Sequence, residues 1–226
     1  IPFKITSGLR FFEQAHVKDV GAFLKFIVNP RDEIAFKRMV KLLPGIGTRS
    51  AENLWKSVAA IGQEALDARA NPLESFSFSA SFSSLKVPSR SMSAWKQLGH
   101  TLEEIAPHGK PTSPSRMIQS VREAVYDDYA RTQFPDYDAR REDLNALSQF
   151  ASQYSSTDEF LDQMALMTNA DQNAPADGFG EDAVTLSSIH QAKGLEWKNV
   201  FLIWLTEGMF PSQRSMGNSD ALEEER

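Results

Sequence analysis

Residues 200–205, VFLIWL, are apolar at every position. Such a run fits a strand covered on both faces, as in a parallel sheet flanked by helices. Upstream, residues 183–188, AVTLSS, set apolar Val184 and Leu186 between polar neighbours, which fits a second strand. The polar block between them, residues 187–197, carries a lone His190, a Lys193-Gly194 step and Glu196. In α/β domains ligands gather at the loops beyond strand ends, so chemistry is expected here. A lone histidine in such a turn is more often structural or simply exposed.

The block reads Ser188-Ile189-His190-Gln191-Ala192-Lys193-Gly194-Leu195-Glu196-Trp197 and is followed by Glu207-Gly208-Met209-Phe210-Pro211. It closely resembles the paired motifs T-L-H-x-A-K-G-L-E, ending in Phe or Trp, and E-G-x-x-P of the second RecA-like lobe of UvrD/Rep/PcrA-type superfamily 1A DNA helicases. Ser-Ile replaces the family's Thr-Leu, which keeps a hydroxyl and exchanges one aliphatic residue. Residues 1–24, IPFKITSGLRFFEQAHVKDVGAFL, resemble the segment that enters the same lobe, with Ser7 for one of its glycines and His16 for a glutamate. The ending Leu222-Glu223-Glu224-Glu225-Arg226 resembles the opening of the helix that leads to the last helicase motif.

The resemblance implies roles residue by residue. Ser188, His190 and Lys193 would contact the backbone of single-stranded DNA, Glu196 would hold a ribose hydroxyl of ATP, and Gly194 would let the backbone approach the nucleotide. The intact enzyme would use ATP and Mg2+, translocate 3′ to 5′ on single-stranded DNA and unwind duplex. ATP hydrolysis needs a phosphate cradle with its lysine, acidic residues for magnesium and an arginine against the γ-phosphate. No G-x-x-x-x-G-K-S/T pattern occurs in these 226 residues. The chain is therefore expected to be an inactive piece with no bound cofactor or metal. Its motor would need the first RecA-like lobe in cis and the final motif.

Composition bounds the rest. With 41% hydrophobic and 24% charged residues, the chain is an ordinary globular protein. The absence of cysteine excludes thiol catalysis and cysteine-based zinc sites. His16, His100, His108 and His190 form no ligand spacing, and no run of about 18 apolar residues is present to span a membrane. A cytoplasmic, bacterial-type protein is expected, without a membrane partner. The net charge of −6 counts mildly against nucleic-acid binding. Distribution matters more than the sum, because Lys37, Arg38, Lys41 and Arg49 gather around one short segment.

That segment contains Leu43-Pro44-Gly45-Ile46-Gly47-Thr48-Arg49-Ser50-Ala51-Glu52-Asn53-Leu54, which fits the helix-hairpin-helix pattern L-P-G-I-G-x-x-x-A-x-x-I/L. The glycines permit a tight turn, Ile46 would plug it from inside, and the small Ala51 lets two helices approach. Amides at the start of the second helix, with its positive dipole end, form a phosphate seat indifferent to sequence. Lys41, Gly45, Ile46, Gly47, Thr48 and Arg49 are accordingly the candidate duplex contacts. A packed helix pair whose glycines merely make the turn is the structural alternative.

Elsewhere the pattern predicts a strand at 3–6, a helix over 13–28 ended by Asn29-Pro30, and a helix from about 33 to 42 capped by Asp32. Further helices are expected over 92–105, 115–132, 140–154 and 157–168. The serine-rich residues 75–93 read as a short strand or a surface loop, and 169–182 as a linker. Phe23, Phe26, Trp55 and Trp95 are expected to pack rather than to stack on bases. The expected fold is predominantly α, a helical insertion domain containing a helix-hairpin-helix attached to a partial RecA-like α/β lobe. Residues 1–28 and 176–226 would form the two pieces of that lobe and 29–175 the insertion. Expected partners are single-stranded and junction DNA, with repair or replication proteins. Two alternatives are a non-catalytic recruitment or regulatory module and part of a helicase-nuclease subunit.

Overall fold

The computed structural model describes residues 3–6, 11–70, 76–173, 184–187, 192 and 195–203. The chain divides into two compact units, Ile1–Gly8 with Glu181–Arg226, and Leu9–Gly180. In the first, β1 (Phe3–Thr6) pairs parallel with β2 (Val184–Ser187), Phe3 opposite Val184 and Thr6 opposite Ser187. These are the only two strands among the described residues. The expected strand at 200–205 is not formed over 200–203, where Val200, Phe201, Leu202 and Ile203 are exposed, Phe201 at 89%. A strand buried on both faces requires pairing neighbours and covering helices. Among the described residues this run has neither.

The second unit is helical. It contains α1 (Ala15–Val28), α2 (Glu33–Val40), α3 (Thr48–Ala70), α4 (Phe78–Ser83), α5 (Met92–Ile105), α6 (Pro114–Val121), α7 (Asp127–Gln133), α8 (Tyr137–Ala151) and α9 (Thr157–Asn173). The helix α1 packs against α2, α6, α8 and α9, and Val17, Val20, Phe23, Leu24, Phe26 and Ile27 are fully buried. Contacts thus place α1 in the helical unit, although its sequence resembles the entry to the strand-bearing lobe. As expected, α1 stops at Asn29-Pro30, and the Asp32 carboxylate accepts from the Ala35 amide at 2.9 Å to start α2. Where α3 passes the connecting turn it carries Gly62, and a Cβ there would lie 2.5 Å from the Pro30 carbonyl oxygen.

A row of rings crosses five helices. Trp55 meets Phe36 at 5.4 Å, Phe36 meets Phe26 at 5.6 Å, Phe26 meets Phe78 at 6.3 Å, Phe78 meets Phe82 at 6.1 Å, and Phe82 stacks on Trp95 at 5.1 Å. The Trp95 indole N–H donates to the Phe82 carbonyl at 2.8 Å, so its one polar atom is satisfied inside the core. This row explains why residues 78–83 form a helix rather than the expected strand or loop. Ser77 caps it through the Ala80 amide, and a helical turn puts Phe78 and Phe82 on one buried face. Three serines cost roughly 0.5 kcal/mol each against alanine. Burying two phenylalanines returns about 1.5–3 kcal/mol apiece, and burial wins. Gly99 on α5 admits the close approach, since a Cβ there would be 3.3 Å from that of Phe82.

Between α6 and α7 the chain makes a π turn at Arg122–Tyr126, closed by the Asp127 amide donating to the Arg122 carbonyl. A wider turn of this kind adds one residue to a helix without ending it. At the far end, α9 runs to Asn173, so helix extends into the stretch expected to be linker.

Buried polar groups join α1 to its neighbours. His16 is buried, and its Nε2 lies 3.0 Å from Asp143 Oδ2 on α8. Its Nδ1 is 3.2 Å from Arg140 Nη1. Arginine can only donate, so Nδ1 accepts, Nε2–H donates to Asp143, and the imidazole is neutral. Arg140 is itself held by Asp136 at 2.9 Å and lies over the Phe134 ring. Burial, with the Arg140 charge, holds the His16 pKa below its ordinary 6.5 against the opposing pull of Asp143. One turn further along α1, Arg38 donates to Asp19 at 2.7 Å. Burial nonetheless raises the Asp19 carboxyl and, with the charge of Asp19, pushes the Tyr126 hydroxyl well above its usual range.

The unfolded chain takes up a proton at His16 near pH 6.5 whereas the fold resists it, so this contribution is full above 6.5 and is lost as pH falls through the lowered folded value. Urea denaturation from about pH 7.5 to about 5.5 is expected to show falling stability, and His16→Gln to flatten that slope. An unchanged slope in the variant would exclude His16 as its source.

Candidate nucleic-acid interface

The turn joining α2 to α3 runs from Lys41 to Gly47. Gly45 adopts φ +83°, a left-handed conformation that costs a side-chain-bearing residue about 1–2 kcal/mol. The Ile46 side chain is buried and Ala51 is 1% exposed, so both take the inward positions their pattern assigns. The first helical hydrogen bond of α3 runs from the Ala51 amide to the Gly47 carbonyl at 2.9 Å. The amides of Thr48, Arg49 and Ser50 precede it, and Gly47 has no side chain with which to cap them. Thr48 and Arg49 are exposed.

The turn forms one edge of a cleft of about 950 Å³. Arg90, Ser93 and Gln97, from residues 89–91 and α5, line one side. Asp128, Tyr129 and Gln133 on α7 line the other. Lys41, Gly45, Ile46 and Gly47 open into it. Lys37, Arg38, Arg122 and Arg140 are all paired with carboxylates. Lys41, Arg49 and Arg90 make no ion pair among the described residues. In a chain of net charge −6, cations left uncompensated at an uncapped helix start suit a phosphate-bearing ligand.

The residues that local spacing did not reveal are Arg90 and Ser91. The Ser91 hydroxyl is buried and donates to the Pro44 carbonyl at 2.7 Å, tying a distant segment to the turn. Both residues fall within the serine-rich stretch read as strand or loop, and a contact across 47 positions leaves no local signature.

Of the helicase-like block, Ser188, His190, Lys193 and Gly194 lie outside the described residues. Glu196 is exposed in a stretch without regular structure, just after the Leu195 amide donates to the Ala192 carbonyl at 2.9 Å. No cluster of metal ligands and no helix long and apolar enough to cross a membrane occurs among the described residues.

Comparison with known proteins matches residues 1–226 to the UvrD-like helicase C-terminal domain. The chain is 30% identical over its whole length to DNA helicase II of Escherichia coli (strain K12), of which it covers 31%. It is 29% identical, again over its whole length, to DNA helicase II of Salmonella typhimurium, of which it covers 31%. Over its whole length it is also 30% identical to the ATP-dependent DNA helicase PcrA of Leuconostoc citreum, of which it covers 30%. The chain thus spans about three tenths of the length of these relatives.

The two turn glycines are expected to behave differently. Gly45→Ala meets both the positive φ and the stem of Arg90 and should lower stability by about 1–2 kcal/mol. Gly47 has open space where a Cβ would point, and Gly47→Ala should stay within about 0.5 kcal/mol of the parent. Urea midpoints of the two variants check this, and equal losses would refute the assignment of strain to Gly45.

Proposed function

Because the chain belongs to the UvrD-like helicase C-terminal domain family, we propose that it serves an ATP-dependent DNA helicase by holding DNA and nucleotide rather than by hydrolysing ATP itself. The observation that carries the DNA half of this reading is the α2–α3 turn. Its helix start, which Gly47 cannot cap with a side chain, lies beside Lys41 and Arg49, which make no ion pair among the described residues of a chain of net charge −6. The turn grips the duplex by its phosphates, which needs no base sequence, and Gly45, Ile46, Gly47 and Thr48 give it its shape.

The strand-bearing unit supplies the contacts of the motor. Ser188, His190 and Lys193 hold the backbone of the single strand, Gly194 and Glu196 meet the nucleotide, and ATP with Mg2+ is completed by a first RecA-like lobe in cis. Closure on ATP and reopening after hydrolysis then move the protein 3′ to 5′ along single-stranded DNA while the helical unit holds the duplex ahead. The basis for this half is the S-I-H-Q-A-K-G-L-E-W block and the names of the relatives.

Binding of the chain to a labelled duplex with a 3′ single-stranded tail, across a salt series, tests the reading. Lys41→Ala with Arg49→Ala is expected to weaken binding tenfold or more and to lower the salt slope by roughly two. If the folded chain does not bind at low salt, the duplex role falls and protein recruitment becomes the better account.

A further inference from the structure

Arg90 lies outside every motif considered above, yet its side chain rests on the turn. A Cβ on Gly45 would sit 2.3 Å from Arg90 Nε, 2.7 Å from Cγ and 2.8 Å from Cδ. The arginine stem therefore fills the volume that any other residue at 45 would claim. Its Nη2 donates to the Gly45 carbonyl at 3.4 Å, a long contact that uses one of five guanidinium donors. Ser91, docked on the Pro44 carbonyl, fixes the backbone beside it. The guanidinium is thus held by its stem, exposed and without an ion pair among the described residues, at the edge of a cleft that Lys41 shares. Asp128 across the cleft disfavours an anion on its own side, which leaves the Arg90 side for phosphate.

We propose that Arg90 is a further DNA-contacting residue, closing over the Gly45–Gly47 turn to form a phosphodiester clamp with Lys41 and Arg49. This rests on the duplex-gripping role given to the turn above. The planar fork of arginine matches two phosphate oxygens at once, which a lysine cannot do. Gly45 then serves twice, by allowing the left-handed turn and by leaving room for the stem that aims the fork.

The same tailed duplex and salt series test the clamp, with Arg90→Gln, Arg90→Lys, Gly45→Ala and the Gly45→Ala/Arg90→Gln double variant of the full chain. Arg90→Gln is expected to weaken binding roughly five- to tenfold and to lower the salt slope by about one. Its urea midpoint should stay at the parent value, since the side chain is exposed. Arg90→Lys should restore the slope but not the full affinity. Gly45→Ala should lose as much as Arg90→Gln, and the double variant no more than either. Parent-like affinity and slope in Arg90→Gln, while the Lys41/Arg49 variant loses binding, would overturn the clamp and leave the turn's role standing. Absence of binding by the parent chain would overturn both.

Discussion

The helical unit depends on the row of rings that runs from Trp55 through Phe36, Phe26, Phe78 and Phe82 to Trp95. Each pair is worth about 0.5–1.5 kcal/mol beyond the area it buries. More important is what the row joins, since it draws on α3, α2, α1, α4 and α5 in turn. Phe26 on α1 links its two halves. The turn that carries Lys41, with Arg49 just inside α3, hangs from one half, and the segment bearing Arg90 and Ser91 hangs from the other. Packing in the core thereby positions groups at the surface that share no sequence neighbourhood.

Polar contacts divide the work differently around α1. His16 as a neutral imidazole donates to Asp143 and accepts from Arg140. A carboxylate at position 16 would instead face that of Asp143. The pair Asp19 and Arg38, one turn along the same helix, ties α1 to α2. Neither contact needs a charge at position 16, which suits an imidazole that is itself buried.

Much of the helical unit was legible because its signals are local. Asp32 before an apolar stripe, Pro30 after one, and the L-P-G-I-G run each act within a few residues, and α1 ends and α2 and α3 begin close to where these signals put them. Residues 78–83 misled because alternate phenylalanines among serines satisfy a strand period, while the Phe26 and Trp95 rings that reward a helix come from far along the chain. The apolar run at 200–203 misled for the opposite reason. Its composition is that of a covered strand, but cover is a property of neighbours. At the candidate site, the motif pointed to Gly45 through Arg49, and a neighbouring charge to Lys41, but neither could point to Arg90, whose place depends on a fold-level contact.

The π turn at Arg122–Tyr126 bears on the cleft in a way that residue identity does not capture. Each residue turns an α-helix by about 100°, so the added residue sets the facing of everything that follows it. Asp128, Tyr129 and Gln133 line the cleft because of that offset. Shortening the segment by one residue would swing them away while α6 kept its place. The far side of the cleft is therefore specified by how many residues precede it, and its chemistry is tuned by counting as well as by choosing side chains.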